Sequence, residues 1–125
     1  MRFYKGWDII KIKYKSKRLE RQCTNYTLAK RDFGVQVAEK LFSLIEFMNN
    51  ACSLNDVAVI PTYHLHPLHG TRNGEFALDL GRRLGRRLIV RSLNEEGKKW
   101  DTNDTGIIYK STFVVLVLEV SNHYE

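Results

Sequence analysis

Three of the chain's four histidines lie close together in the stretch YHLHPLHGTRNGEFALDL, which spans residues 63–80. The imidazole side chain changes its charge near neutral pH, so a histidine cluster can bind a metal ion or transfer protons. The simpler alternative is a strand that carries histidines on its surface. The surrounding sequence has to decide between these three interpretations.

A second chemical feature follows directly, because five arginines fall within residues 82–91. They are Arg82, Arg83, Arg86, Arg87 and Arg91. The whole chain has a formal net charge of +6. Arginine binds phosphate through a fork of N–H donors, so this basic block indicates a phosphate-binding face. A solvated run of charges is the alternative interpretation.

The periodicity of apolar residues indicates the elements that must position these side chains. A period of two predicts strands in WDIIKIKYKS, at 63–68, in EFALDL, in RRLIVRSL and in TFVVLVLEV. Helical spacing predicts one helix between Ser16 and Gly34 and a second in VQVAEKLFSLIEFMNNA, joined as an antiparallel hairpin. The polar stretch 94–111 is expected to be a mobile loop insertion.

The resulting order, β-α-α-β-β-β-β, predicts a single α+β domain over residues 1–125. Its N-terminal strand and helical hairpin should pack on one face of a mostly antiparallel sheet. The other face of the sheet (the outer face) is expected to be at least partly open. We therefore expect functional side chains on the outer face.

Strand alternation predicts which side chains reach the outer face. Leu65, Leu88 and Val90 are apolar positions that should face the helices. Four side chains of opposite parity should then share the outer face: His64, His66, Arg87 and Arg91. Four more are expected at its rim or just beyond the last strand: His69, Arg72, His123 and Tyr124.

Two kinds of chemistry fit this set. Zinc could be held by His64 and His66 with His69 or His123, but no suitable cysteine accompanies them, carboxylates nearby are few, and arginines repel a cation. RNA cleavage by transphosphorylation fits better, because imidazole and phenol groups can carry the protons and arginines can neutralise the phosphate. This reaction needs no metal and no other cofactor. A purely structural role is favoured for His64.

The motifs YHLHPLHGTRNGEFALDL and RRLIVRS, together with the terminal LEVSNHYE, resemble the RelE/ParE superfamily of toxins from bacterial toxin–antitoxin modules. The chain is most similar to the HigB branch of host-inhibition (killer) toxins, and the element order also matches. The resemblance implies a two-layer RelE-like fold and a ribosome-dependent mRNA endonuclease (an mRNA interferase). Such a toxin cleaves codons in the ribosomal A site and so inhibits translation. A cognate antitoxin, usually a helix-turn-helix protein of the HigA type, would neutralise it.

The resemblance also implies roles for individual residues. His66 takes the place of the family's active-site histidine, Arg72 matches the arginine of the hairpin turn, and Arg87 matches the strand arginine that contacts the scissile phosphate. His123 and Tyr124 complete the expected catalytic set near the C-terminus. The expected RNA-binding set is His69, Arg82, Arg83, Arg86, Arg91 and Asn122.

Three features depart from the HigB pattern. His69 stands where the family has lysine, so a permanent cation becomes a titratable group. Asn122 stands where the family has aspartate, and an amide cannot act as a base. His123 and Tyr124 appear in swapped order, which on an extended segment exchanges the sides to which they point.

Two other functions stay open. A ParE-like protein would poison DNA gyrase with the same fold, since fold alone does not decide function. A degenerate toxin homologue would bind RNA without cleaving it. The sequence shows neither an apolar run long enough to span a membrane nor a signal-peptide pattern, so we expect a cytoplasmic protein without a membrane partner.

Overall fold

The computed structural model describes residues 9–94 and 96–122, with the backbone alone at Arg82. In these residues the chain has the predicted α+β architecture, with helices packed on one face of a five-stranded sheet. The strands are β1 (Lys11–Tyr14), β2 (His66–Pro67), β3 (Glu75–Asp79), β4 (Arg86–Leu93) and β5 (Val114–Asn122). The helices are α1 (Lys17–Thr24), α2 (Tyr26–Phe33), α3 (Val35–Asn49), α4 (Leu54–Ala58) and α5 (Thr105–Ser111).

The strand order in the sheet is β1-β5-β4-β3-β2. β1 runs parallel to β5, and the other neighbouring pairs are antiparallel. The consecutive strands β2 to β5 therefore form a meander, and the N-terminal strand β1 adds to it beside β5. This arrangement confirms the mostly antiparallel sheet that the sequence predicts.

The hydrophobic core lies between the sheet and the helices. Helix α3 supplies the broad apolar stripe that its sequence predicts, with Leu41 and Leu44 completely buried. Leu78, Leu88 and Val90 meet this stripe from the sheet and are also completely buried. Because this packing occupies one face of the sheet, the alternate side chains of β3 and β4 point to the outer face.

The single helix predicted after the first strand is divided into α1 and α2 at Asn25. Ser16 caps α1 by accepting a hydrogen bond from the Leu19 N–H. Asn25 has an extended backbone, and its side chain accepts from the Leu28 N–H, so it ends α1 and caps α2. The prediction of one continuous helix is wrong here because an asparagine side chain competes with the helical backbone. Of the helices in the described part of the chain, none combines the length and apolar character that crossing a membrane requires.

The strand predicted over 63–68 is reduced to the short strand β2. A 3-10 turn begins at Pro61, and His64 ends it in a left-handed conformation (φ 47°, ψ 52°). Residues other than glycine rarely adopt a positive φ, so the alternating pattern does not reveal this turn. After β2, the Leu68 N–H donates to the Glu75 carbonyl at 2.8 Å, which continues the pairing toward the hairpin.

The stretch 94–111, predicted as a loop, ends in helix α5. Asp104 caps this helix, and Ile108 is only 6% exposed and belongs to the core. The Trp100 indole N–H donates to the Ser92 hydroxyl at 2.8 Å. The loop prediction is wrong for the last part of the stretch, because the apolar run there is too short to show helical periodicity.

Candidate functional site

Strand pairing brings charged and titratable side chains together on the outer face. Six of them are His66, Glu75, Asp79, Arg87, Arg91 and Glu119. Glu75 lies opposite Arg91, and Asp79 lies opposite Arg87. As the alternation predicts, His66, Arg87 and Arg91 lie on the same face, opposite to the core.

His64, His66 and Asp79 form a histidine cluster at the β2 edge of the outer face. The Nδ1 atom of His66 lies 2.7 Å from the backbone oxygen of His64. A carbonyl oxygen only accepts, so Nδ1 carries the proton, and Nε2 of the neutral ring can take a proton from a substrate. The two imidazole rings stack with their centroids 4.3 Å apart and 26° between their planes. His64 Nδ1 approaches Asp79 Oδ2 at 3.5 Å.

His64 does not occupy the strand position that the sequence assigns to it. Its left-handed backbone is an unfavourable conformation that the surrounding contacts must hold. The carbonyl contact with His66 and the ring stack are two such contacts. Asp79 is missing from the predicted site, although its alternation with the buried Leu78 and Leu80 marks it as an outer-face residue.

Arg87 lies between Asp79 of β3 and Ser121 of β5. Its side chain is half-buried on the outer face and does not lie under the helices. The Nε atom is buried and has no hydrogen-bond partner among the residues that the structure describes. A buried donor without an acceptor lowers the stability of the fold by about 1–3 kcal/mol. A phosphate oxygen that accepted a hydrogen bond from this atom would remove that cost.

Arg72, Glu75, Arg91 and Glu119 form an arginine–carboxylate network. Arg72 donates through Nε to Glu75 at 2.7 Å and through Nη2 to Glu119 at 2.6 Å. Arg91 donates to the second oxygen of Glu75 at 3.2 Å. The hydrogen bonds to Glu119 and then to Glu75 raise the pKa of Arg72. Arg72 is therefore a doubly paired cation.

The network spans the centre of the outer face. Arg72 belongs to the turn before β3, whereas Glu119 belongs to β5, so their hydrogen bond joins parts of the outer face that lie on either side of β3 and β4. Ala77 and Ile89 are paired between these positions and are fully buried, although they point to the outer face.

This network changes the charge expected of the outer face. The expectation of few carboxylates near the histidines is wrong, because Glu75, Asp79 and Glu119 all lie on the outer face. A phosphate group can bind Arg72 only by competing with Glu75 and Glu119. Glu119 is the easier one to displace, since its side chain is 44% exposed and that of Glu75 only 13%.

The five arginines of the basic block do not share one face. Arg87 and Arg91 point to the outer face, whereas Arg86 has the opposite parity and its guanidinium carbon lies 5.7 Å from the Phe33 ring centroid. Arg83 is exposed in the turn before β4. Alternation within β4 and the preceding turn therefore separate the arginines of the basic block, and Arg87 and Arg91 are the two that lie on the outer face, as the alternation predicts.

Of the remaining predicted residues, His69 borders the outer face, whereas Asn122 pairs with Arg86 and so has the parity of the helical side of the sheet. His69 is exposed and precedes the turn that leads into β3. Asn122 is exposed at the end of β5, opposite Arg86. His123 and Tyr124 lie outside the described residues. Within residues 9–94 and 96–122, no three or more His, Cys, Asp or Glu side chains are arranged to hold a metal ion.

An open groove of about 1030 Å³ lies beside the histidine cluster. Helix α3 borders it through Lys40, the 3-10 turn through Tyr63, and the turn before β4 through Arg83. His64 and Asp79 line the same groove. No local motif marks it, because its walls come from separate parts of the chain.

No protein-family model and no curated protein matches this chain. The likeness to RelE/ParE toxins therefore depends on the motifs and on the order of the elements.

Proposed function

We propose that this chain is the toxin of a toxin–antitoxin module, a ribosome-dependent mRNA endonuclease of the RelE/ParE type and most similar to HigB. The observation that carries the proposal is the position of His66. The His64 carbonyl holds its tautomer, and the ring shares the outer face with Arg87. A proton-transfer group and a phosphate-binding group on one sheet are what metal-independent cleavage requires.

In the proposed reaction, His66 Nε2 takes the proton of a ribose 2′-hydroxyl. The 2′-oxygen then attacks the adjacent phosphorus, and the bond from phosphorus to the 5′-oxygen breaks. The products are a 2′,3′-cyclic phosphate and a 5′-hydroxyl end. Arg87 stabilises the negative charge that develops on the phosphate oxygens. The family resemblance assigns the proton for the leaving oxygen to His123 or Tyr124.

The arginine–carboxylate network supports a dependence on the ribosome. In the free chain Arg72 is already paired, so naked RNA has to displace Glu119 before it gains that guanidinium. A ribosome holds the codon in place and so removes part of the entropic cost of binding. We therefore expect cleavage of codons in the A site and little cleavage of naked RNA.

The proposed partners are mRNA, the ribosome and a cognate antitoxin, all in the cytoplasm. The antitoxin would be a helix-turn-helix protein of the HigA type that prevents the toxin from acting on translating ribosomes. The net charge of +6 favours association with ribosomal RNA and with an acidic partner surface. No cofactor is part of this proposal.

The test is to map new mRNA 5′ ends in cells after brief induction of the wild type, Arg87→Ala and Arg18→Ala. Arg18 is exposed on α1, so its removal makes the same charge change on the helical side of the molecule. We expect cuts within translated frames for the wild type and Arg18→Ala, and none for Arg87→Ala. Wild-type cutting by a folded Arg87→Ala would contradict the role of Arg87.

Two other functions stay open, because Arg72 is already paired with Glu75 and Glu119 and so does not by itself require a nuclease. Growth arrest without new 5′ ends would favour a ParE-like poison of DNA gyrase. RNA binding that weakens with salt, without any cleavage, would favour a degenerate toxin homologue. The same induction experiment separates these outcomes from cleavage on the ribosome.

A further inference from the structure

The groove beside the histidine cluster continues the outer face around the edge of the sheet. His64 and Asp79 line the groove and also contact each other at 3.5 Å. His66 contacts the carbonyl of His64, and His64 lines the groove. The proposed proton-transfer group therefore lies next to a residue of the groove wall. A strand of RNA that passes His66 can therefore enter the groove without leaving the protein surface.

The His64 ring offers a flat surface toward this groove. One face of the imidazole stacks on His66, and the side chain as a whole is 60% exposed. Its other face is therefore available to a planar ligand. RNA bases stack on such rings in proteins that bind single strands, and this contact is tolerant of base identity.

Beside the carboxylate of Glu39, which would repel a phosphate group, the remaining lining offers groups that can bind the polar parts of a nucleotide. Lys40 and Arg83 are exposed cations that can contact a phosphate group. Gln36, Ser43 and Thr62 can exchange hydrogen bonds with ribose hydroxyls and base edges. The groove volume of about 1030 Å³ lies at the upper end of the range of small-molecule sites, so a nucleotide fits within it.

We propose that this groove binds the RNA nucleotide next to the scissile phosphate, with its base stacked on His64. This inference depends on the proposed function, because the scissile phosphate is defined by His66 and Arg87. It explains why His64 keeps an unfavourable backbone conformation. The left-handed turn places the His64 carbonyl on His66 and leaves the exposed ring at the groove.

The test is an NMR titration of the intact chain with a 2′-O-methyl RNA trinucleotide, which lacks the 2′-hydroxyl nucleophile and cannot be cleaved by this reaction. We expect backbone amide shifts at Tyr63, His64 and Arg83. His64→Gly removes the ring and tolerates the positive φ, so the fold and the carbonyl contact with His66 should persist. This variant should bind about 5- to 150-fold more weakly, the value expected for one stacked base. His64→Phe keeps a stacking ring and should bind nearly as well as the wild type.

The control is Arg18→Ala, which should leave the titration unchanged. Unchanged amide chemical shifts at the groove, with changes confined to the outer face, would overturn the proposal. The groove would then be a candidate site for a protein segment. Cuts in cells, together with unchanged RNA binding by His64→Gly, would overturn the groove site while the nuclease stands. Binding in the groove that depends on His64, without cuts in cells, would support the groove site and contradict the nuclease.

Discussion

Glu119→Gln isolates the effect of the arginine–carboxylate network, because it removes one charge and keeps the size of the side chain. The bond from Arg72 to Glu119 is short at 2.6 Å, but the two side chains are 42% and 44% exposed. Solvent therefore screens the pair, and pairs of this kind contribute about 0.2–1 kcal/mol. We expect the free energy of unfolding to fall by at most about 1 kcal/mol, with the fold unchanged.

The same substitution should strengthen RNA binding. It removes the competing anion from Arg72 Nη2, while Nε stays bonded to Glu75. One extra phosphate contact increases the slope of log K against log salt concentration by about 0.7 for a single strand. The assay is titration of non-cleavable RNA at several salt concentrations. Glu46→Gln is the matched control, because Glu46 is an exposed carboxylate on α3 and its loss changes the net charge equally.

Two results would refute this reasoning. If Glu119→Gln weakened RNA binding while Glu46→Gln did not, Glu119 would itself be a substrate contact and would not act as a restraint on Arg72. If both variants bound RNA equally more tightly, the gain would come from net charge alone. In either case the paired state of Arg72 would not limit RNA binding.

Three further predictions concern stability. Burial raises the pKa of Tyr14 from 10.0 and that of Cys23 from 9.0 to about 12 each. The stabilisation that comes from the two neutral side chains is therefore complete below the ordinary pKa values and is lost as the pH rises through about 12. Urea unfolding should therefore show a falling free energy above about pH 9, and a flat profile there would contradict it. Asn25→Ala removes the cap of α2 and should lower the urea midpoint by the equivalent of about 0.5–2 kcal/mol at an unchanged m-value. Trp100→Phe loses the hydrogen bond to Ser92 and should cost about 1 kcal/mol, measured in the same way.

The sheet could be predicted because charged and apolar residues alternate over much of β3 and β4. In β3, Phe76 and Leu78 are buried against the core, whereas Glu75 and Asp79 point to the outer face. A period of two is a direct consequence of strand geometry, so it is visible in the sequence. The same regularity made the apolar stripe of α3 predictable at helical spacing.

The site was less predictable, because two of its features depend on distant contacts. The left-handed turn at His64 is held partly by His66, and no local pattern encodes it. In β5 a bulge shifts the register, so that Leu116 and Glu119 both lie on the outer face despite their opposite parity. The apolar run of β5 hides this shift. The pairing of Arg72 with Glu119, 47 residues away, could therefore not be inferred.

The most direct test of the central claim is to identify the ends of mRNA cleaved on programmed ribosomes by the purified chain. The proposal predicts that the wild type leaves a 5′-hydroxyl and a 2′,3′-cyclic phosphate, and that a folded His66→Ala leaves the mRNA intact. A 5′-phosphate end, or undiminished cleavage by His66→Ala, would contradict transphosphorylation by this histidine on the outer face.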